Sequence, residues 1–289
     1  MPQRRIRHDR HVADCVAACC VIRLVSFDPL RTLDIPGVST MKPDEMFRRR
    51  DEVAAADWVL FPEEWQLNAL AYALHARIFP SMPSYRFGQD KVQFTRALWA
   101  LCPKHAPTTL ILPATEESVT RVVDELDFPL VVKRPRSSMG VGVYKVNERR
   151  DLLNLLPRLE VLYAQEYLDI DRDLRVVWVG DEVVSAYWRT GGDGFRHNIA
   201  CGGEADFDDV PPLALELVAQ VANGLGIDHG GFDLAQVGGH WYLLELNLRF
   251  GNTALRCVGV SLAPLILRYL ERCTDPRGNP GRPPFGIAA

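Results

Sequence analysis

Three side chains with hard oxygen donors sit inside two apolar runs: Asp233 in Gly231-Phe232-Asp233-Leu234-Ala235-Gln236-Val237, and Glu245 and Asn247 in Trp241-Tyr242-Leu243-Leu244-Glu245-Leu246-Asn247. The pair Gly238-Gly239 between the runs signals a β-hairpin. Side chains alternate along a strand, so Glu245 and Asn247 project from one face. Asp233 joins them only if it lies opposite Glu245. A two-residue Gly238-Gly239 turn would pair Asp233 with Leu244 and turn Glu245 away, so an odd loop or a bulge is required. We expect a three-residue loop with Val237 opposite Trp241, a common hairpin type. An oxygen-only cluster of this kind suits Mg²⁺, which keeps several waters and shares its shell with substrate phosphates. A solvated polar strand face is the alternative, but unpaired carboxylates on otherwise apolar strands are costly to bury.

A second group could meet those phosphates. Phe128-Pro129-Leu130-Val131-Val132-Lys133 reads as a strand ending in a lysine, and a loop of small residues from Arg134 to Gly142 follows before Val143-Tyr144-Lys145-Val146 returns as a strand. Such a loop can turn backbone N–H groups toward phosphate oxygens, with the lysine as a point charge. An ordinary glycine hairpin with an exposed lysine is the competing interpretation. Only five lysines occur in the chain, at 42, 91, 104, 133 and 145, so a lysine inside a motif carries information.

Composition bounds the rest. The 289 residues are 47% hydrophobic, enough for two or three subdomains with a sizeable core. A net charge of -4 argues against a general nucleic-acid binder. The seven cysteines, at 15, 19, 20, 102, 201, 257 and 273, form no Cys-x-x-Cys pair, which excludes a zinc spacing and fits a reduced, cytoplasmic location. No run approaches the ~20 apolar residues of a membrane helix.

The elements that must position these groups follow in order. Residues 1–20 read as a loosely ordered extension. Strands at 21–27, 57–61 and 78–79, with a helix over 43–55 and another opened by Pro62 with Trp65, Ala69, Tyr72 and Ala73 on one face, imply a small parallel sheet in an N-terminal α/β domain, 21–87. Residues 28–42 read as loop. From Gly88 a new unit begins: a helix carrying Val92, Thr95, Leu98 and Trp99, a strand at 107–112, a helix capped by Thr115 with Val119, Val122, Val123 and Leu126 inward, and a strand at 163–168. A hairpin over 175–188 turns at Gly180-Asp181, and a helix over 213–225 points Leu213, Leu217, Val218, Val221 and Leu225 inward. The last helix spans 261–272, and a loose tail follows from about 276.

The ordered set Lys91, Pro107-Thr108, Leu130 to Lys133, the glycine loop, Gln165-Glu166-Tyr167, Asp173-x-Arg175, Val179-Gly180-Asp181, Arg189, Phe195-Arg196-x-Asn198, Asp233 and Glu245-x-Asn247 resembles the ATP-grasp superfamily, and its order and spacing are most similar to the RimK-type amino-acid ligases. The resemblance covers about residues 88–272. It implies an α/β N-terminal domain followed by an ATP-grasp fold over 88–275, with a central lobe at about 115–168 and a C-terminal lobe at about 169–275 clasping ATP. It further implies that Lys91 and Lys133 meet the phosphates and that Ser137, Ser138, Gly140 and Gly142 belong to a loop closing over them. Adenine would bind the backbone of Glu166, Tyr167 and Leu168, Asp173 would face the ribose, and Asp233, Glu245 and Asn247 would hold Mg²⁺ or Mn²⁺.

Enzymes of this kind transfer the γ-phosphoryl group to a carboxylate, and the acylphosphate then reacts with an amine, so cations are needed where charge develops. Arg189 and Arg196 are the candidates for that charge, and Asn198 for orienting a substrate or phosphate oxygen. After Asn247 the sequence reads Leu248-Arg249-Phe250-Gly251-Asn252-Thr253, which resembles an Asn-Pro-Arg-Phe-Gly variant of other ATP-grasp ligases and makes Arg249 and Asn252 candidates for the acceptor carboxylate. The expected partners are ATP and a small molecule or peptide, with neither nucleic acid nor membrane, in a chain that could form a homo-oligomer. The alternatives are a nucleotide-binding protein without ligase activity and a kinase-like member that stops at phosphoryl transfer.

Overall fold

The computed structural model describes residues 22–137, 141–191 and 204–274. Three sheets divide the work. The first is fully parallel, with order β2-β1-β3-β4, from β1 (Leu24–Ser26), β2 (Val38–Thr40), β3 (Trp58–Leu60) and β4 (Ile78–Phe79). The strand β2 lies within the stretch expected to be loop. It is a half-exposed edge strand of three residues, too short and polar to leave a periodic signal. Between β1 and β3, helix α1 occupies only Arg50–Ala54, and a single 3₁₀ turn covers Pro43–Glu45. The helix expected after Pro62 is likewise broken, into a 3₁₀ turn at Glu64–Gln66 and a π-turn at Ala69–Ala73. Trp65 and Tyr72 point outward, and Gln66, Leu67 and Leu70 are the buried residues instead.

Two helices, the first of them not expected from the sequence, link this sheet to the others. Helix α2 (Met82–Gln89) is capped by Ser81, and α3 (Lys91–Leu101) by Asp90, whose Oδ1 accepts from the N–H groups of Val92 at 2.9 Å and Gln93 at 3.2 Å. The helix expected after Lys91 is α3, and α2, which was not foreseen, ends where the Asp90 cap starts α3.

The second sheet is antiparallel, with order β5-β8-β6-β7: β5 (Thr109–Pro113), β6 (Leu130–Lys133), β7 (Val143–Val146) and β8 (Val161–Glu166). Helices α4 (Glu116–Glu125) and α5 (Arg149–Leu155) cover it, and Val119, Val122, Leu130, Val132, Leu152 and Leu162 form a core of its own.

The third sheet has order β11-β10-β9-β12-β13, from β9 (Arg172–Val179), β10 (Glu182–Thr190), β11 (Glu204–Asp206), β12 (His229–Val237) and β13 (His240–Asn247). Alternation sorts its residues. Leu174, Val176 and Trp178 on β9 and Phe232 and Leu234 on β12 pack against α3 and α6 (Pro212–Leu225). On the opposite face, Val177, Val179 and Tyr187 join the parallel sheet through Leu24, Leu60 and Phe79, and join the last helix through Ile266, Tyr269 and Leu270. That last helix, α8 (Leu262–Thr274), follows the short α7 (Thr253–Cys257), which was not foreseen. Leu213, expected inward on α6, is 68% exposed, because the helix presents Ala214, Leu217, Val218 and Val221 to the sheet. Among the described residues no helix is long and apolar enough to cross a membrane.

Candidate active site

The hairpin β12–β13 closes differently from expectation and reaches the expected result. Val237 pairs with His240, so the turn is the two-residue Gly238-Gly239, both with positive φ (57° and 81°). Parity is restored by a bulge: Leu234 pairs with Leu243, Asp233 with Glu245, and Leu244 is the extra residue. The Asn247 amide nitrogen donates to Asp233 Oδ2 at 3.0 Å and to Glu245 Oε1 at 2.8 Å, so all three side chains meet on one face.

The same face of β9 and β10 brings two arginines and a third carboxylate. Asp233 lies opposite Arg175, and Asp173 opposite Arg189. The Arg175 guanidinium donates to both Asp233 oxygens, through Nε to Oδ1 and through Nη2 to Oδ2 at 2.9 Å. Arg189 donates to Asp173 at 2.6 and 2.8 Å, and its Nη2 reaches Asp233 Oδ1 at 3.0 Å. All four residues are buried. Burial works to raise the Asp233 pKa, but Arg175 and Arg189 outweigh it and hold the carboxyl below its ordinary value. Burial likewise works against the charge on Arg189, and Asp233 and Asp173 keep it firmly protonated. Gly231 permits this packing: a Cβ there would lie 2.9 Å from Arg175 Nη1.

Opposite stands the second sheet. Lys133, the last residue of β6, is buried; its pKa is pushed down to about 8, chiefly by burial and further by Lys91, while Glu245 and Asp233 oppose the shift. Lys91, at the start of α3, has Nζ 3.3 Å from Glu245 Oε2 and 2.6 Å from the carbonyl of Ser137. Its backbone N–H donates to the Pro135 carbonyl at 3.1 Å, so one residue ties the loop after β6 to the acidic face of the third sheet. Tyr163, opposite Lys133 on β8, belongs to a buried hydrogen-bonded network with Thr95, Gln165 and Thr109. Lys91 thus pairs directly with Glu245, and the charges of Glu245, Asp233 and Lys91 act on Lys133, so both lysines stand near the carboxylates.

The remaining expected residues divide. Ser137 and Gly142 flank the loop; Gly142 has φ 78°, and a Cβ there would lie 3.0 Å from the Arg134 side chain. Ser138, Gly140, Arg196 and Asn198 lie outside the described residues. Glu166 ends β8 with its carboxylate accepting from the Thr108 N–H at 2.6 Å; Tyr167 and Leu168 follow it, half-buried, with Lys145 Nζ 4.0 Å from the Tyr167 ring centre. Arg249 and Asn252 are exposed beyond β13. Asp173 and Arg189 were expected to serve separate ligands, and the structure pairs them with each other. Both oxygens of Asp173 accept hydrogen bonds from Arg189. Arg175 is the residue to which no role was given, although it stands in the Asp173-x-Arg175 motif. Its signal was the i, i+2 spacing, which puts both on one strand face.

The donor set fits a hard divalent cation in part. Glu245 and the Asn247 amide oxygen are oxygen donors on a half-exposed surface beside Lys91. Asp233 completes the set by position, but its oxygens already accept from Arg175, Arg189 and Asn247, so a cation would compete with two guanidinium groups for it.

Comparison with known proteins converges on the same region. Residues 89–270 match the family model described as RimK-like ATP-grasp domain. A probable alpha-L-glutamate ligase of Citrobacter koseri is 31% identical over 156 residues, 51% of this chain and 52% of that protein. A ribosomal protein bS6–L-glutamate ligase of Escherichia coli is 30% identical over 152 residues, 50% of this chain and 51% of that protein. The chain thus spans about half the length of the curated relatives it matches. Among solved structures, a RimK domain ATP-grasp protein from Sphaerobacter thermophilus superimposes with a TM-score of 0.66 at 16% identity, covering 86% of this chain and 98% of that one. A D-alanine–D-alanine ligase from Bacillus anthracis superimposes with a TM-score of 0.68 at 13% identity, covering 89% and 100%.

Proposed function

Because the chain belongs to the RimK-like ATP-grasp family, we propose that it is an ATP-dependent carboxylate–amine ligase that joins an amino acid to a small molecule, peptide or protein. The observation that carries this reading is the gathering of Lys91 and Lys133 beside Asp233, Glu245 and Asn247: Lys91 pairs with Glu245 at 3.3 Å, Asn247 bonds both carboxylates, and Glu245 and Asp233 act on Lys133.

In this reading Lys133 and Lys91 bind phosphate oxygens of ATP. Protonated Lys133 is costly in its dry site until an anion arrives, which favours nucleotide binding. A carboxylate substrate attacks the γ-phosphorus, the bond to the β,γ-bridging oxygen breaks, and ADP leaves. The amine then attacks the acyl carbon, phosphate departs, and the amine proton is lost. Mg²⁺ or Mn²⁺, held by Glu245 and Asn247 with Asp233, would neutralise phosphate charge. Arg175 and Arg189 hold Asp233 and Asp173 rigidly behind these ligands, so we assign them positioning roles. Arg196 and Asn198 are proposed to touch the acylphosphate, the backbone of Glu166 to Leu168 to take the adenine, and the loop with Ser137, Ser138, Gly140 and Gly142 to cover the phosphates. L-Glutamate, named in the curated relatives, is the first amine to test. A reduced, cytoplasmic setting suits the free thiols of Cys102, Cys257 and Cys273.

The test is ADP and phosphate release across a panel of amines and carboxylates, with mass detection of products. Amine-dependent ADP release with an amide product is expected. Release that ignores the amine would point to a kinase, and ATP binding without release under any substrate pool would overturn the ligase assignment.

A further inference from the structure

The hairpin β12–β13 has a second end. Its tip is the Gly238-Gly239 turn, and His240 is the first residue of β13 beyond it. Against this tip lies a 3₁₀ turn over Pro103–His105, which joins α3 to β5. The rings of His105 and His240 stack there, with centroids 5.0 Å apart and planes 5° from parallel. His105 Nδ1 lies 2.8 Å from the Trp241 carbonyl oxygen, and His240 Nε2 lies 2.7 Å from the Lys104 carbonyl oxygen. A carbonyl only accepts, so both ring nitrogens donate. Each histidine therefore bonds the backbone beside the other one, and neither segment can slide without breaking both bonds. Tyr242 packs edge-on against His240, with ring centroids 4.8 Å apart, and holds that ring from the side.

The backbone gives a reason for the pair. β13 is the last strand of its sheet, so carbonyls on its outer edge have no ladder partner. The last carbonyls of a helical turn likewise lack intrahelical partners. The two imidazoles supply one donor to each place. Cys102, Ala106 and Trp241 share an apolar core and hold the two segments together, but apolar contact has no direction. The hydrogen bonds set the register of the turn against the strand.

The turn leads to the nucleotide side of the molecule. The chain enters the second sheet at Thr109, the start of β5, and leaves it after Glu166, the end of β8. Only Ala106 and Pro107 separate His105 from Thr108, and the proline restricts that short link. Thr108 and Glu166 bond reciprocally: the Thr108 N–H donates to Glu166 Oε1 at 2.6 Å, and the Glu166 N–H donates to the Thr108 carbonyl at 2.9 Å. One short path thus runs from the tip of the hairpin through His105 and Thr108 to Glu166, Tyr167 and Leu168.

We propose that His105 and His240 are positioning residues, a clamp that sets residues 166–168 against the hairpin that carries Asp233, Glu245 and Asn247. The proposal rests on the reading that this segment takes the adenine. A single hairpin then bears the candidate metal ligands toward one end and the clamp at the other, which fixes the spacing between the phosphate end and the base end of one nucleotide. The histidines act through Thr108 and Glu166, not on the nucleotide itself.

The experiment compares wild type with His105→Leu, His105→Asn and His240→Leu. Asparagine keeps a donor near the Nδ1 position, whereas leucine keeps only bulk. Calorimetry with Mg²⁺ measures the affinities of ATP and of inorganic triphosphate, which has no base. Both leucine variants should weaken ATP about 10-fold, the scale of one lost hydrogen bond, and leave triphosphate unchanged, and His105→Asn should recover most of the loss. A merely structural role would weaken both ligands alike; that result overturns the proposal, and so does an unchanged ATP affinity. Amide hydrogen exchange at 166–168 without nucleotide is the second readout, and it does not depend on what the segment binds. Exchange should quicken in the leucine variants and return toward wild type in His105→Asn. If wild type binds ATP no more tightly than triphosphate, the adenine reading fails by itself. Quickened exchange then still supports the clamp, and unchanged exchange overturns it.

Discussion

Asp233 and Glu245 stand directly opposite each other although the turn between their strands has two residues, because Leu244 is left unpaired as a bulge. The bulge sits beside the cluster it creates, a common place for one to re-aim a side chain. If Glu245 and Asn247 take the cation, Glu245→Gln removes a ligand charge where phosphate charge must be neutralised. ADP release should fall at least about 100-fold, the scale of one lost electrostatic group in a transition state. Melting should shift little, since Glu245 is half-exposed. Steady-state ADP assays and thermal denaturation check both halves.

Arg189 should matter to the fold more than a surface cation would. Arg189→Met strands Asp173 in a buried site and removes one of the two guanidinium groups on Asp233, so a loss of about 3–5 kcal/mol is expected. Adding Asp173→Leu should restore much of it. Urea unfolding of the single and double variants measures the coupling, and no stability change in the single would refute the positioning role.

Gly231→Ala tests the packing behind the cluster. The new Cβ would meet Arg175 Nη1 at 2.9 Å and Cδ at 3.0 Å and push the guanidinium off Asp233. A stability cost of about 1–3 kcal/mol is expected, with turnover lowered further than nucleotide affinity. Comparing kcat with ATP binding by calorimetry separates the two effects.

Lys133→Met should abolish or strongly weaken nucleotide binding while the melting temperature holds or rises. Lys133 is buried at the cost of its charge, as the pKa pushed down to about 8 indicates, so a flexible apolar side chain suits the buried position better. Unchanged ATP affinity would remove Lys133 from the phosphate site.

His229 predicts a pH dependence. It is buried among Phe61, Phe79 and Phe250 with neither ring nitrogen hydrogen-bonded, and burial, with Arg31 nearby, lowers its pKa from 6.5 to about 3. Between those values the unfolded chain binds the proton more readily than the folded one. The associated stability is therefore complete above pH 6.5 and lost as pH falls, by up to about 1.4 kcal/mol per unit. His229→Leu should flatten urea-derived stability between pH 6.5 and 5; an unchanged slope would count against this environment for the ring.

Local patterns were legible where side-chain alternation or capping carried the signal. The Glu245-x-Asn247 spacing, the Gly180-Asp181 turn, the Thr115 cap and the inward Val119 and Val122 needed no tertiary information. Short elements failed: β2, the broken turns after Pro62, and the two-turn helix α2 depend on edge pairing and capping that a hydrophobic period does not encode.

By itself the sequence determined the family and the strand face shared by Glu245 and Asn247, because strand parity and motif order are properties of the chain alone. It also determined that some irregularity must bring Asp233 to Glu245. Tertiary structure decided that the irregularity is a bulge at Leu244 rather than a longer loop. It decided as well that Asp173, Arg175 and Arg189 belong to one buried ion cluster. Those outcomes depend on cross-strand register and on the docking of one sheet against another, and both are fixed by contacts between residues far apart in sequence.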